Sequence, residues 1–132
     1  MSKILELIIP AGKDIKEAIV EFVVEQQLTR SIIVGGIGSA KNLEIAAPIS
    51  PELPLKTTPT LYPVAAEILS FSGEILPWEE VDSLIKNQYS QSTDPVFVHI
   101  HVSAAFAGGL VFGGGLRGGN AFRALRIFMI RL

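Results

Sequence analysis

Two different hydrophobic periods occupy the first thirty residues of the chain. Residues 3–10 (KILELIIP) are rich in Ile and Leu and end at a proline, which predicts a first strand. Residues 13–30 change to a helical period, with one face made of Ile15, Ala18, Ile19, Phe22, Val23 and Gln26. The opposite face is mostly charged, with Lys16, Glu17, Glu21 and Glu25. Because Asp14 precedes Glu17 by three positions, Asp14 is predicted to be the N-cap of this principal helix.

The middle of the chain predicts short strands, turns and one long loop. Residues 30–40 form a strand that runs into a glycine-rich turn, and residues 42–48 are expected to be its hairpin partner. Five prolines in residues 48–63 predict a long loop packed over the domain. Residues 65–75 return to strand character, with Gly73 as a turn.

The last third of the chain adds more strands. Residues 77–94 are polar and compatible with either a short helix or an exposed loop. Strands are predicted at residues 96–104 and 109–116, and a turn at 118–120 introduces a final strand at 121–132. One principal helix is thus set against seven or eight short strands. Because most connections are too short for a helical crossover, we expect an α+β fold, a mainly antiparallel sheet with the helix packed on it, formed by residues 1–132 as a single domain.

The final strand is apolar on both of its faces. One face consists of Phe122, Ala124, Arg126, Phe128, Ile130 and Leu132, and the other of Ala121, Arg123, Leu125, Ile127, Met129 and Arg131. A half-solvated strand would alternate apolar and polar residues. The whole chain is 48% hydrophobic and only 18% charged, which is more apolar than one small domain can hide. We therefore expect one face to meet the helix and the other to meet a second subunit.

Cysteine and membrane signals restrict the classes of protein. The chain has no cysteine, which excludes a disulfide, a thiolate zinc site and a cysteine nucleophile and fits the reducing cytoplasm. The N-terminal residues do not read as a signal peptide. Residues 95–116 carry no formal charge, but five glycines and the alternation around the histidines favour a strand over a membrane helix. We expect a cytoplasmic protein without a membrane span.

Charge is distributed unevenly along the chain. Residues 1–94 contain seven basic and thirteen acidic side chains, a balance of −6, whereas residues 95–132 contain four basic and no acidic ones, a balance of +4. Folding can intermix the two parts, or the basic part can form a local surface for an anionic partner. The candidate nucleic-acid contacts are Arg117, Arg123, Arg126 and Arg131.

His99 and His101 are the only histidines of the chain. Two residues apart in a strand, their rings lie on one face, about 7 Å apart at the backbone. Imidazoles at this spacing can share a metal ion, but a metal requires at least three protein ligands. Ordinary hydrogen bonds at a cleft or interface are the competing explanation.

No other motif predicts a catalytic site. The glycines of residues 35–38 and 113–115 lack the lysine-containing pattern of a phosphate loop, so close backbone approach and tight turns explain them better. The strand and turn serines have no visible acid–base partner: Ser39, Ser70, Ser72 and Ser103. Glu67 lies in an apolar strand, and a half-buried carboxylate there would need a partner, such as Arg123 or Arg126; a structural role is the first interpretation. We assign no catalytic residue, and we expect contacts with a ligand or an interface at Glu67, Gly113, Gly114, Gly115 and Arg117.

Four segments, in order, resemble the plants-and-prokaryotes-conserved (PPC) domain. They are IPAGKDIKEAIVEFVVEQQL, IIVGGIGSAKNLEIA, AAEILSFSG and VHIHVSAAFAGGLVFGGGL, and they cover nearly the whole chain. The most specific parts are residues 67–73 and the His-x-His strand with the glycine motif that follows it. The resemblance implies a homotrimer. It also implies assembly and partner binding in plants, where AT-hook DNA-binding segments precede the domain, and a provisional DNA-binding label for stand-alone prokaryotic members.

The chain departs from this family pattern at two places. The family's glycine motif usually reads Gly-Gly-His-Leu, and its histidine would join His99 and His101 in a three-histidine metal site. Gly115 takes the place of that histidine here, and Leu125 lies near the place of a glutamate in the last strand. His99 and His101 carry over as candidate zinc ligands, whereas the complete site does not.

Three functions follow as hypotheses. The first is a non-enzymatic homotrimeric module that needs no cofactor and binds a small ligand or a regulatory protein. The second is a metal-dependent enzyme with a fold resembling that of acetolactate decarboxylase, in which a neighbouring subunit or an acidic residue completes a zinc site at His99 and His101. The third is direct DNA binding by the C-terminal arginines. The chain has no Arg-Gly-Arg-Pro hook or dense basic stripe, so we expect no DNA binding at physiological salt.

Overall fold

The computed structural model describes residues 3–53 and 56–132. The predictions for the N-terminus and the proline-rich loop also included residues outside these ranges, namely Met1, Ser2, Pro54 and Leu55. In chain order the elements are β1 (Ile4–Ile9), α1 (Ile15–Glu25), β2 (Ser31–Pro48), β3 (Thr57–Tyr62), β4 (Ala66–Leu76), α2 (Ser83–Asn87), β5 (Phe97–Ala105) and β6 (Val111–Arg131). Short 3₁₀ turns lie at Trp78–Glu80 and Ala107–Gly109.

The strands form one antiparallel sheet in the order β1-β6-β5-β4-β2-β3. Because β6 also pairs with β2, the strands β2, β4, β5 and β6 close into a ring of hydrogen-bonded ladders. β1 pairs with the part of β6 that does not pair with β5. In the same way, β3 pairs with the part of β2 that does not pair with β4. The predicted α+β fold with a mainly antiparallel sheet and one principal helix is confirmed.

Two long strands replace predicted turns. β2 runs through residues 35–38 and β6 runs through residues 118–120 without reversing direction, so the predicted hairpin and turn are wrong. The β2–β6 ladder shifts register at several positions, and Gly38 and Gly119 have φ angles of 138° and 146°. Bulges of this kind bend a strand without ending it. The described residues therefore contain six strands, not seven or eight.

Gly73 lies inside β4 and not at the predicted turn. It pairs with Ile100 of β5, and a Cβ at this position would collide with the carbonyl oxygen of His99. Glycine is needed here because two backbones approach closely. Gly73 thus keeps β4 against the strand that carries the histidines.

The prediction of a long loop over residues 48–63 is wrong in part, and residues 77–94, for which a short helix and a loop were both open, contain a short helix. Within the predicted proline-rich loop, Thr57–Tyr62 forms β3 and pairs with the end of β2. Pro59 is tolerated because β3 lies at the edge of the sheet. Residues 77–94 contain a 3₁₀ turn and α2, and the Trp78 indole donates a hydrogen bond of 2.8 Å to the carbonyl of Asp94.

The principal helix begins where the capping pattern predicted. Asp14 Oδ1 accepts a hydrogen bond of 2.8 Å from the Glu17 amide, which confirms the N-cap. Its buried residues are Ile15, Ala18, Ile19 and Val23. Phe22 is half-buried, while Gln26 lies just beyond the helix and is exposed. Because α1 contacts β1 and β6, this apolar face completes the core.

The two faces of the final strand lie in different environments. Four residues of one face are fully buried in the core: Ala121, Leu125, Ile127 and Met129. On the opposite face, Phe122, Ala124 and Arg126 are exposed and Phe128 and Ile130 are half-buried. The prediction left open which face meets the core; the structure assigns the core to the face of Ala121, Leu125, Ile127 and Met129, and the second apolar side is open in one copy of the chain. No helix of the described residues is both long and apolar enough to cross a bilayer.

Candidate functional site

The two histidines lie on the outer face of β5. Alternation along the strand buries Val98, Ile100 and Val102, which are 4%, 2% and 3% exposed. Both histidines lie on the opposite face of the strand, where His99 is half-buried and His101 is exposed. Their ring centroids are 4.8 Å apart with the planes nearly perpendicular, at 86°. The structure therefore brings the two rings together on one face.

Each histidine has a defined neighbour in the sheet. His99 lies opposite Glu74 of β4, and its Nδ1 atom is 3.4 Å from Glu74 Oε1. His101 lies opposite Ser72 on one side and Gly115 on the other. Directly opposite residues share a face of an antiparallel sheet. Glu74 therefore orients one ring, and the missing side chain of Gly115 leaves space beside the other.

Gly115 differs from the two glycines that precede it. A Cβ on Gly114 would lie 2.5 Å from the Ala46 carbonyl oxygen, and one on Gly113 would lie 3.0 Å from that of Val102. A Cβ on Gly115 would meet nothing closer than 3.7 Å. Close packing thus requires glycine at position 114 and tightly limits position 113, whereas position 115 has room for a side chain.

A cavity of about 500 Å³ opens beside the histidines. Its polar lining comes from β4, β5, β6, β3 and the segment after α2, and consists of Thr57, Ser70, Gln88, Tyr89, His99, His101, Ser103 and Arg117. Residues 113–115 form part of its wall. This volume lies within the range of small-molecule sites. We call this cavity the histidine cleft.

Arg117 and Tyr89 form one side of the histidine cleft. The Arg117 Cζ atom lies 4.6 Å from the centre of the Tyr89 ring, and Lys16 Nζ lies 5.8 Å from the same ring. Burial raises the pKa of Tyr89, and the charge of Arg117 opposes that rise. Burial lowers the pKa of Lys16, Asp94 raises it and Arg117 lowers it further. The cleft therefore has a positively charged side in a partly desolvated setting.

The predicted ligand residue Glu67 lies elsewhere. It is exposed and lines a second cavity of about 470 Å³ together with Ser39, Phe122 and Arg123. The expectation of a half-buried carboxylate at Glu67 is wrong, because its side of β4 faces solvent. The structure therefore separates Glu67 from the other candidate ligand residues at 113–115 and 117.

The four C-terminal arginines lie in four different settings. Arg126 Nε is 2.6 Å from Glu6 Oε1, so its partner is neither Glu67 nor a free phosphate. Arg131 donates hydrogen bonds to the carbonyls that follow α1, those of Gln26 and Gln27. Arg117 lies in the histidine cleft and Arg123 in the second cavity. The structure does not give the four a common environment.

The donors of the histidine cleft do not suffice for a metal ion. Among residues 3–53 and 56–132, no group of three or more His, Cys, Asp and Glu side chains is placed to hold one. Glu74 approaches His99 as a hydrogen-bond partner, and Gly115 supplies no donor where the PPC resemblance expected one. Structural zinc requires four ligands and catalytic zinc three. The residues of one chain therefore do not fit a zinc site.

Sequence reasoning missed three residues of the site. Tyr89 lies in the segment left ambiguous, Lys16 was assigned to the solvated face of the helix, and Glu74 was not singled out. Lys16 is half-buried, since it leans toward Tyr89. None of these residues has a local signal, because their meeting depends on strand pairing and on the path of residues 77–94.

A closed antiparallel sheet with one principal packed helix defines the class as an α+β protein. The chain belongs to the Plants and Prokaryotes Conserved (PCC) domain family, called PPC above, whose model matches residues 2–132. This confirms the resemblance inferred from the sequence motifs. No curated protein matches the chain.

Solved structures with the same fold come from archaea and bacteria. A PPC protein from Pyrococcus horikoshii is 26% identical, with a TM-score of 0.72, over 100% of this chain and 82% of the other. A metal-containing protein from Archaeoglobus fulgidus is 25% identical, with a TM-score of 0.74, over 98% and 79%. A protein from Bacteroides thetaiotaomicron, provisionally described as DNA-binding, shares the fold at 16% identity and a TM-score of 0.68, over 99% and 82%.

Proposed function

We propose that this chain is a non-enzymatic homotrimeric module that binds a small ligand or a regulatory partner in the histidine cleft. One observation carries the proposal: an exposed apolar face of the sheet leads directly to the histidines. The ladders pair Ile4 with Ile130, Ile130 with Ile32, Ile32 with Glu74, and Glu74 with His99. These five positions form one row across five strands.

Isoleucine side chains of this row and of the neighbouring row are exposed to solvent. Ile4 and Ile32 are 59% and 41% exposed, and the parallel row through Arg126 adds Ile8 and Ile37, each 60% exposed. Contiguous apolar surface of this kind marks an interaction site. A second copy of the chain is the proposed occupant, because copies that assemble bury an apolar surface that a single copy leaves open. The number of three comes from the PPC resemblance.

Light scattering tests the assembly. We expect a mass three times that of one chain, and we expect Ile32→Glu to lower the mass because it buries a charge in the interface. Val24→Glu is the matched control, since Val24 is 55% exposed on α1, away from the row. A wild-type mass of one chain overturns the trimer. Equal dissociation by both variants overturns the assignment of the face.

The site chemistry supports binding over catalysis. Ser70 Oγ and Ser103 Oγ, the hydroxyls beside His101, lie 2.6 Å apart and bond each other. A serine nucleophile would instead need a histidine base within hydrogen-bond reach. The related Archaeoglobus protein is metal-containing, but a metal in this chain would need a donor in place of Gly115. We therefore propose a ligand site without zinc, and elemental analysis of the purified trimer checks it.

DNA binding is the weaker alternative. It has the support of the provisional label of the Bacteroides protein, which is similar in fold alone. Strong non-specific binding requires many free Lys and Arg contacts to phosphate. Of the four candidate arginines, Arg126 is paired with Glu6 and Arg131 binds backbone carbonyls. We expect no duplex binding at physiological salt, and a salt titration with duplex DNA measures it.

A further inference from the structure

The histidine cleft contains an arginine without a counter-ion. Arg117 is half-buried against Tyr89 and has neither an ion pair nor a side-chain hydrogen bond with another described residue. Arg126, in contrast, is paired with Glu6. A guanidinium carries five donors and is stabilised strongly by a bidentate anion. The unused donors of Arg117 therefore indicate that an anion would complete the cleft.

The lining of the histidine cleft around Arg117 carries no negative charge among the described residues. Among the residues that the structure describes, no Asp or Glu lines the cavity, while hydroxyl, amide and imidazole groups do. Carboxylates lie near the cavity but outside its lining. Glu44 Oε2 would be 3.6 Å from a Cβ on Gly118, the residue after Arg117. Glu74 lies beside His99, and Asp94 interacts with Lys16 and accepts a hydrogen bond from Ser92. A cavity with a cation, hydrogen-bonding groups and no lining carboxylate is complementary to a negative ligand.

The opening of the cleft matches a small molecule. Gly115 leaves the position next to His101 empty of side-chain atoms, and the close contacts of Gly113 and Gly114 hold the wall in place. The cavity of about 500 Å³ accepts a molecule of a few to a few tens of atoms. Residues 113–115 therefore form a smooth wall on which the body of a ligand can lie.

We propose that the histidine cleft binds a small organic anion, with its carboxylate or phosphate group on Arg117 and its body against His101 and residues 113–115. This inference rests on the proposed ligand-binding function and names the class of ligand. Serine hydroxyls and the ring nitrogens of His101 are within the same cavity to bond the rest of the molecule. The anion supplies the counter-charge that one chain does not provide.

The electrostatics of Lys16 agree with this geometry. Burial lowers its pKa, Asp94 raises it and Arg117 lowers it again, so the Arg117 and Lys16 cations repel each other beside Tyr89. An anion on Arg117 would weaken that repulsion. Binding is therefore expected to raise the pKa of Lys16, a change that a neutral ligand would not produce.

Titration with simple probes tests the inference. Sodium acetate, inorganic phosphate and uncharged acetamide are added separately to the protein at constant ionic strength, and the amide signals of residues 113–115 are followed by NMR. We expect saturable shifts with acetate or phosphate and none with acetamide. The two anion titrations distinguish a carboxylate ligand from a phosphate ligand.

Matched arginine variants assign the site. Arg117→Gln is expected to weaken anion binding about tenfold, the size of a lost charge-assisted contact. Arg123→Gln is the control, because Arg123 lies in the second cavity. A folded Arg117→Gln protein, judged by its dispersed NMR spectrum, that binds as tightly as wild type overturns the inference, and so does equal weakening by the control.

Other outcomes separate this inference from the proposed function. If acetamide binds as tightly as acetate, the inference of an anion site is overturned but the proposed ligand cleft is not. If neither anion causes a shift, the inference of an anion site is overturned as well. The mass of the same samples reports the trimer independently. A monomer that binds acetate through Arg117 overturns the trimer and supports the anion site.

Discussion

The two halves of β6 share one strand but have different environments. Residues 121–131 pair with β2 on one edge and largely with β1 on the other, and they bury Leu125, Ile127 and Met129 completely. Residues 111–115 pair mainly with β5 and carry three glycines beside the histidines, with Val111 and Phe112 at 54% and 40% exposure. One half stabilises the fold and the other shapes a cleft.

This contrast shows how a small domain combines stability and binding. Burial of large apolar side chains supplies most of the stabilising free energy of a domain. A binding surface needs space and unpaired donors, which do not contribute to that free energy. In β6 the two requirements are separated along the chain by Arg117 and the bulged residues that follow it.

The largest expected difference between the halves is in core packing. Leu125→Ala is expected to lower the free energy of unfolding by about 2–5 kcal/mol, because it leaves a cavity at a fully buried site. Val111→Ala, in the exposed part, is expected to change it by less than about 0.5 kcal/mol. Urea denaturation at one fixed protein concentration measures both, since assembly makes stability depend on concentration. Similar losses in the two variants would contradict the division of β6.

A smaller difference is expected between two neighbouring glycines of the cleft. Gly114→Ala is expected to cost about 1–3 kcal/mol, because its φ of 157° and the Ala46 carbonyl leave no room for a Cβ. Gly115→Ala is expected to be neutral or to stabilise by up to about 1 kcal/mol, since glycine freedom in the unfolded chain is lost. Thermal unfolding of the two variants compares them directly. If Gly115→Ala is the more damaging variant, position 115 is not open.

The smallest effect concerns the titration of Tyr89. Burial raises its pKa above the usual value of 10.0, so the folded state keeps the phenol proton to a higher pH than the unfolded state does. The resulting stability is fully present below pH 10 and is lost as the pH rises through the folded pKa. Arg117→Gln is expected to raise the pKa of Tyr89 further, because Arg117 favours the phenolate.

Ultraviolet absorbance of the phenolate measures this shift. Tyr89→Phe serves as the control, since it removes the signal of interest and leaves that of Tyr62. The same loss of Arg117 is expected to raise the pKa of Lys16, which NMR of its side chain detects. A fall in the Tyr89 pKa after Arg117→Gln would show that the guanidinium does not face the ring in solution.

Part of the candidate site could be predicted from residue spacing. The alternation of β5 places His99 and His101 on one face and Val98 and Ile100 in the core, because a strand has a period of two residues. The sequence could predict that Arg117 contacts a ligand or an interface, but it could not predict which residues surround it. Its contact with Tyr89 joins residues 28 positions apart, across a segment whose sequence favoured no structure.

The sequence by itself determined the periodic features of this protein: the capped helix α1, a last strand with two apolar faces, the antiparallel class and the two-faced strand of the histidines. Periodicity encodes which side of an element is buried, and that information is local. Tertiary structure alone decided that glycines bend β2 and β6 instead of ending them. It also decided that the row from Ile4 to His99 crosses five strands, because the closing ladder between β2 and β6 sets both the bulges and the register.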